Sequence, residues 1–227
     1  MSGSAPAPRL DVDALLFDLD GTLIDSWPDL GGAGNDLRAS RGLAPRALLD
    51  FRPLTSGGAR GMVRIALGLT PEDAGFEAAK HDFLAIYEAR STRDSHVFPA
   101  VHPLLDALDA AGRPWGIVTN KITRYTQPIV AHYGLAGRSQ ALVCGDTTPH
   151  AKPHPAPLLE AARQLGLPPT RCAYVGDDLR DIQAGQAAGM PTVAVAWGYL
   201  GLEAPIDTWG ADHLVQTPAE LQALLGL

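Results

Sequence analysis

Ala14-Leu15-Leu16-Phe17-Asp18-Leu19-Asp20-Gly21-Thr22 sets an apolar run against two carboxylates and a glycine. A short apolar run that breaks off at a polar turn is the pattern of a strand buried on both faces. The same design recurs down the chain. Trp115-Gly116-Ile117-Val118 ends in Thr119-Asn120-Lys121, and Ala141-Leu142-Val143-Cys144 ends in Gly145-Asp146. Cys172-Ala173-Tyr174-Val175 ends in Gly176-Asp177-Asp178, and Pro191 to Ala196 supplies a fifth run. Between these runs lie helical patterns. One spans His102 to Ala111, with Leu104, Leu105 and Leu108 on one face and Gly112 as its stop. Pro157 to Leu165 and Leu179 to Ala188 follow suit, closed by Gly166 and Gly189. Strands alternating with helices predict an α/β fold with a parallel sheet covered on both faces. Ligands of such sheets bind beyond the carboxyl ends of the strands, so the polar strand-end residues are expected to converge on one edge.

The segment from about residue 26 to 98 breaks this alternation, and no run in it reads as a strand. Thr70-Pro71-Glu72-Asp73 has the signature of a helix start, with Thr70 as N-cap, and the helix is expected to continue through Phe76, Phe83 and Tyr87. The segment therefore reads as a helical insert after the first strand, with Trp27-Pro28 and Phe98-Pro99 as its entry and exit linkers.

Composition narrows the function. The 227 residues are 46% hydrophobic and 19% charged, enough for one core domain and a smaller insert. The 18 Lys+Arg against 25 Asp+Glu leave a net charge of −7 with no basic run, which argues against nucleic acid as a partner. No apolar run approaches the roughly 18 residues of a membrane span. Met1 to Pro8 reads as a loose tail without the features of a secretory signal, and a cytoplasmic location is expected. Cys144 and Cys172 sit in apolar runs and read as buried thiols.

Asp18 and Asp20, two apart at a strand end, start on the same side, where two carboxylates share a proton or a cation. A lone strand-end acid is usually a solvated turn residue, but that reading competes poorly with the whole pattern. Asp177, Asp178 and Asp181 bunch at another strand end without a nearby Lys, which suits a hard cation such as Mg²⁺. The blander alternative is an acidic helix start facing the dipole. Thr119 and Asn120 offer a hydroxyl and an amide at an expected helix N-terminus, an anion site. Lys152, ordinarily a surface residue, supplies the positive charge that several carboxylates and a phosphate require.

Together, Phe17-Asp18-Leu19-Asp20-Gly21-Thr22-Leu23, Val118-Thr119-Asn120, Lys152-Pro153 and Val175-Gly176-Asp177-Asp178 with Asp181 resemble, in order, the four motifs of the haloacid dehalogenase superfamily. Gly145-Asp146, Pro155-Ala156-Pro157-Leu158, Ala187-Ala188-Gly189-Met190-Pro191 and Gly198-Tyr199 are similar to its bacterial phosphoglycolate phosphatase group. Ser56-Gly57-Gly58-Ala59-Arg60, Gly75-Phe76-Glu77-Ala78, Trp115-Gly116, Gly176 to Asp181 and Trp209-Gly210-Ala211-Asp212 look more like the N-acetylmuramic acid 6-phosphate phosphatases. The resemblance implies a Rossmann-like core of residues 1–25 and 99–227 and a helical cap of residues 26–98. It implies Asp18 as nucleophile, Asp20 as acid and base, and Mg²⁺ held by Asp18, the Asp20 main-chain carbonyl and Asp177. Lys152, Thr119 and Asn120 would stabilise the phosphoryl group, with Asp181 and Asp178 orienting the site. The substrate would be a small phosphate ester bearing a carboxylate that Arg60 contacts, and the protein a monomer or homodimer. Dehalogenases of the superfamily lack an acid at the position of Asp20, which argues against that activity. A phosphomutase, a phosphatase of another sugar phosphate and a non-catalytic binding protein remain as alternatives.

Overall fold

The computed structural model describes residues 9–202 and 204–227, and the expected loose tail, Met1 to Pro8, lies outside them. The chain begins with β1 (Ala14–Phe17), β2 (Ile24–Asp25), α1 (Trp27–Ala39), a 3-10 segment (Leu48–Gly57), α2 (Gly58–Leu67), α3 (Phe76–Glu88) and β3 (His96–Val97). It continues through α4 (Val101–Ala110), β4 (Trp115–Val118), α5 (Thr123–His132), β5 (Ala141–Val143), α6 (Ala156–Leu165), β6 (Cys172–Gly176) and α7 (Leu179–Ala188). It closes with β7 (Thr192–Val195), β8 (His213–Val215) and α8 (Pro218–Leu224). Six strands form one parallel sheet in the order β5-β4-β1-β6-β7-β8. Phe17 of β1 is in register with Ile117 of β4 and Val175 of β6. Asp18, Thr119 and Asp177 therefore leave the sheet at nearly one level.

The uniformly apolar strands follow from burial on both faces. Leu15 and Phe17 join Leu104, Leu105 and Leu108 of α4, Ile129 of α5 and Leu221 of α8. Their neighbours Ala14 and Leu16 point the other way, to Leu158 and Ala161 of α6 and Ala184 of α7. Each large side chain so buried contributes about 1.5–3 kcal/mol. Cys144 and Cys172 are buried free thiols, Cys144 just past the end of β5. Among the described residues no helix is long and apolar enough to cross a membrane.

The insert departs from expectation in three places. First, β2 and β3 pair antiparallel, Ile24 with Val97 and Asp25 with His96, so a two-stranded ribbon joins insert to sheet. Second, Trp27-Pro28 is not a linker but the first turn of α1. Proline is tolerated there because that N–H has no partner within the helix. Third, Thr70 does not cap a helix. The Asp73 carboxylate accepts from Thr70 N (2.7 Å) and Thr70 Oγ1 (2.9 Å), closing a separate turn. α3 starts only at Phe76, after Gly75 at φ +89°. α1 packs against α2, α3 and the 3-10 segment, burying Leu30, Leu37, Phe51, Met62, Val63 and Phe83.

Candidate active site

The β1 and β6 strand ends bring Asp18 and Asp177 together, and the first turn of α7 adds Asp181. Oxygen atoms of these three carboxylates lie within 4.8 Å of one another. One cation sits among them. The Lys152 ammonium donates to Asp18 Oδ1 (2.8 Å), Asp181 Oδ1 (2.7 Å) and Tyr174 Oη (2.7 Å), with Val118 O at 3.0 Å. Burial works against the lysine's charge, but the two carboxylates outweigh it and hold its pKa above the ordinary value. Burial, opposed by Lys152 and assisted by the charges of Asp181 and Asp20, pushes Asp18 up to about 7. Asp177 is pushed well above the carboxylate range, first by burial and then by Asp18 and Asp181.

Asp177 has no cation partner of its own among the described residues. Its Oδ1 accepts from Thr22 Oγ1 (2.8 Å) and its Oδ2 from Tyr199 N (2.8 Å). Gly21, at φ +90°, and Gly198 wall this carboxylate so closely that a Cβ at either would overlap it. Three crowded carboxylates and one ammonium leave an excess of negative charge on hard oxygen donors. That donor set fits Mg²⁺. The acids that meet here are Asp18, Asp177 and Asp181, whereas the side chain of Asp20 points elsewhere.

Asp20 Oδ1 accepts from Lys121 Nζ at 2.6 Å, and the same ammonium donates to Tyr87 Oη at 2.8 Å. Tyr87 comes from α3 of the insert and is buried, which pushes its phenol up to about 12. The carboxylate and phenol keep the buried Lys121 above its ordinary value despite the cost of burial. The sequence marks Lys121 only as a strand-end residue and Tyr87 only as a helix residue, because their partnership spans 34 residues and no local pattern reveals it.

Thr119 and Asn120 are not at a helix N-terminus, since α5 begins only at Thr123 with Ile122 as its N-cap. Thr119 Oγ1 accepts from Lys121 N (3.1 Å), which leaves its own proton free to donate. The Asn120 amide is engaged at both ends with the Lys152 backbone, donating to its carbonyl (3.0 Å) and accepting from its N–H (2.9 Å). It fixes the lysine's loop, while its second amide N–H has no partner among the described residues and Asn120 lines the cavity described below. Asp178 caps α7 and pairs with Arg180 (2.7 Å), which lowers its pKa against the effect of burial. Arg180 in turn donates to Ser56 O of the insert at 2.6 Å. This contact too went unread, although Arg180 lies inside a quoted motif.

A partly open cavity of about 560 Å³ lies between core and insert. Asp18, Asp20, Thr119, Asn120, Lys121, Lys152, Asp178, Arg180 and Asp181 contribute to its polar wall, and Leu30, Phe83, Leu84, Tyr87, Ile122 and Tyr125 to its apolar wall. Ser56 to Arg60 lie along it, with Arg60 exposed. The insert thus stands over Asp18, on the carboxyl side of the sheet.

Comparison with known proteins agrees with this arrangement. Residues 12–189 match the haloacid dehalogenase-like hydrolase family. The chain is 43% identical to N-acetylmuramic acid 6-phosphate phosphatase of Pseudomonas aeruginosa, over 94% of each chain. It is 46% identical to phosphoglycolate phosphatase of Xylella fastidiosa, over 90% of this chain and 89% of that one. The crystal structure of a predicted phosphoglycolate phosphatase from Haemophilus somnus superposes with a TM-score of 0.82 at 29% identity, covering 95% and 98% of the two chains. With its parallel sheet, its strand-end acids and relatives of this kind along almost its whole length, the chain belongs to the haloacid dehalogenase-like hydrolase family, as a phosphatase.

Proposed function

We propose that the protein is a Mg²⁺-dependent phosphomonoester hydrolase working through a phosphorylated Asp18, with residues 26–98 as a cap over a core of residues 1–25 and 99–227. The observation that carries this reading is the Lys152 ammonium lodged between Asp18 and Asp181, beside Asp177 and at the wall of a cavity that also holds Asp20. Asp18 attacks phosphorus, forming an aspartyl-phosphate as the ester P–O bond breaks. Asp20 gives its proton to the departing alkoxide. It then takes one from the water that attacks the aspartyl-phosphate, which frees inorganic phosphate and restores Asp18. Lys152, the Thr119 hydroxyl and Asn120 stabilise the charge on the transferring group. Asp18, Asp177 and the Asp20 main-chain carbonyl, with Asp181 behind them, would hold Mg²⁺, which would supply the positive charge that an anionic nucleophile needs to approach an anionic ester.

The substrate we favour is a sugar phosphate bearing a carboxylate, of the N-acetylmuramic acid 6-phosphate kind, over 2-phosphoglycolate. The similarities to named relatives are too even to choose between them. The cavity favours the sugar, because its broad apolar wall offers a two-carbon acid nothing to bury. Arg60, on the insert side of the cavity, is our choice for the carboxylate. Phosphate release from N-acetylmuramic acid 6-phosphate, 2-phosphoglycolate and p-nitrophenyl phosphate, with and without EDTA, tests both levels. Turnover of none of them with Mg²⁺ present removes the phosphatase reading. A higher kcat/KM for 2-phosphoglycolate than for the sugar reverses only the substrate choice.

A further inference from the structure

We propose that Lys121 is a positioning residue for the acid–base group Asp20, and that Tyr87 completes this position only when the insert is seated as it is here. The inference rests on the phosphatase reading above and deepens it. Asp20 follows a β1 that is fixed on both sides by the sheet, but its carboxyl group extends past that support into the cavity. Its only side-chain partner among the described residues is Lys121, which holds Oδ1 at 2.6 Å. No hydrogen bond from a described residue reaches Oδ2, which leaves that oxygen to carry the proton toward a leaving group.

Lys121 needs support of its own, since an ammonium on a four-carbon stem is intrinsically mobile. Tyr87 supplies it. Its hydroxyl accepts from Nζ at 2.8 Å, and its ring is held by Phe83 (6.2 Å, interplanar angle 2°) and Tyr125 (6.2 Å, interplanar angle 61°). Phe83 and Tyr87 belong to the insert, while Lys121 and Tyr125 belong to the sheet side of the cavity. The contact therefore bridges the two parts of the chain. An insert displaced from the sheet takes the phenol with it and leaves Lys121 and Asp20 free to swing. Orientation of the acid is in this way tied to enclosure of the substrate, which confines proton delivery to the closed cavity.

The test uses the difference between leaving groups. An alkyl ester needs a proton from Asp20 as its P–O bond breaks, whereas p-nitrophenolate departs without one. kcat/KM reports this step, and general acid catalysis contributes roughly 10²–10⁴-fold to it. The full-length Lys121→Met and Tyr87→Phe variants are assayed with Mg²⁺ on p-nitrophenyl phosphate and on the alkyl phosphate that wild type hydrolyses fastest. The expected result is a fall in the alkyl-to-aryl ratio of kcat/KM, about tenfold or more for Lys121→Met and about threefold or more for Tyr87→Phe. An equal fall on both esters makes Lys121 a phosphate-binding or structural residue and overturns the proposal, as does an unchanged ratio. Should Lys121→Met melt below the assay temperature, Tyr87→Phe decides alone, since it keeps the ring packing and deletes only the hydroxyl. Wild-type inactivity on both esters would instead refute the phosphatase reading itself.

Discussion

Replacing Lys152 by methionine keeps the length of the side chain and removes a charge that is almost fully buried. The ammonium faces Asp18 at 2.8 Å and Asp181 at 2.7 Å. At the effective dielectric of about 20 that suits such sites, each pair is worth about 6 kcal/mol of gross attraction. Much of this is offset by the cost of taking the ions out of water. Removing one member of a buried pair therefore costs a net of about 3–5 kcal/mol. The variant should unfold in urea with a stability lower by that amount, measured in EDTA so that bound metal does not mask the loss. The sign of its pH dependence follows from Asp18. A carboxyl whose folded pKa lies above its unfolded value costs stability above the folded value and nothing below the unfolded one. Lys152 is the main influence lowering Asp18, so its removal drives that carboxyl further up from about 7. The deficit should therefore shrink as the buffer is taken from about pH 8 to about pH 5. With Mg²⁺ added, kcat should fall about 10²–10³-fold, the usual result of deleting one preorganised charge aimed at a transition state. A loss of activity with stability changed by less than about 1 kcal/mol would refute the reasoning, because it would mean that the acids do not depend on this charge.

Other consequences can be measured alongside. Asp18→Asn should abolish phosphate release while the thermal unfolding curve stays cooperative, since an amide does not attack phosphorus; undiminished turnover would remove the nucleophile. Asp177→Ala should shift the Mg²⁺ titration of activity to much higher concentration, and superimposable titrations would exclude Asp177 as a ligand. Arg60→Ala should lower kcat/KM on the acidic sugar ester about ten- to a hundred-fold, the worth of a charge-assisted bond of roughly 1.5–3 kcal/mol. p-Nitrophenyl phosphate, which has no carboxylate, serves as the control, and equal losses on both esters would clear Arg60 of a role in specificity.

The sheet was legible because its physics is local. A strand buried on both faces has to be apolar throughout, and its end has to turn polar where it meets the cavity, as Phe17-Asp18 and Val175-Gly176-Asp177 do. β8 was not legible, because its three residues lie at the sheet edge with Leu214 exposed. α1 was hidden by Gly31-Gly32-Ala33-Gly34, poor helix formers that packing makes necessary. A Cβ at Gly32 would overlap the Arg90 guanidinium, and one at Gly34 the Phe51 ring. Thr70-Pro71-Glu72-Asp73 misled for the opposite reason, since its local preference was real but spent on a closed turn. At the site, strand-end acids announce themselves, whereas Lys121 and Arg180 gain their meaning only from partners brought in by the insert, Tyr87 and Ser56. Asn120 shows the same limit, because nothing local says that its amide will also hold the Lys152 backbone.

The placement of β1 inside the sheet has a bearing on how the protein is made. Ala14 is in register with Cys172, so the strand that leads into Asp18 leaves a ribosome 158 residues ahead of this neighbour and must wait for it. At about 5–20 residues per second that wait lasts about 8–30 s. For this interval Ala14-Leu15-Leu16-Phe17 is an apolar strand without its full set of neighbours, and its exposed edge invites pairing with other chains. Newly made chains should therefore lean on chaperones until β6 appears. Refolding from denaturant should be slow, and its yield should fall steeply as protein concentration rises.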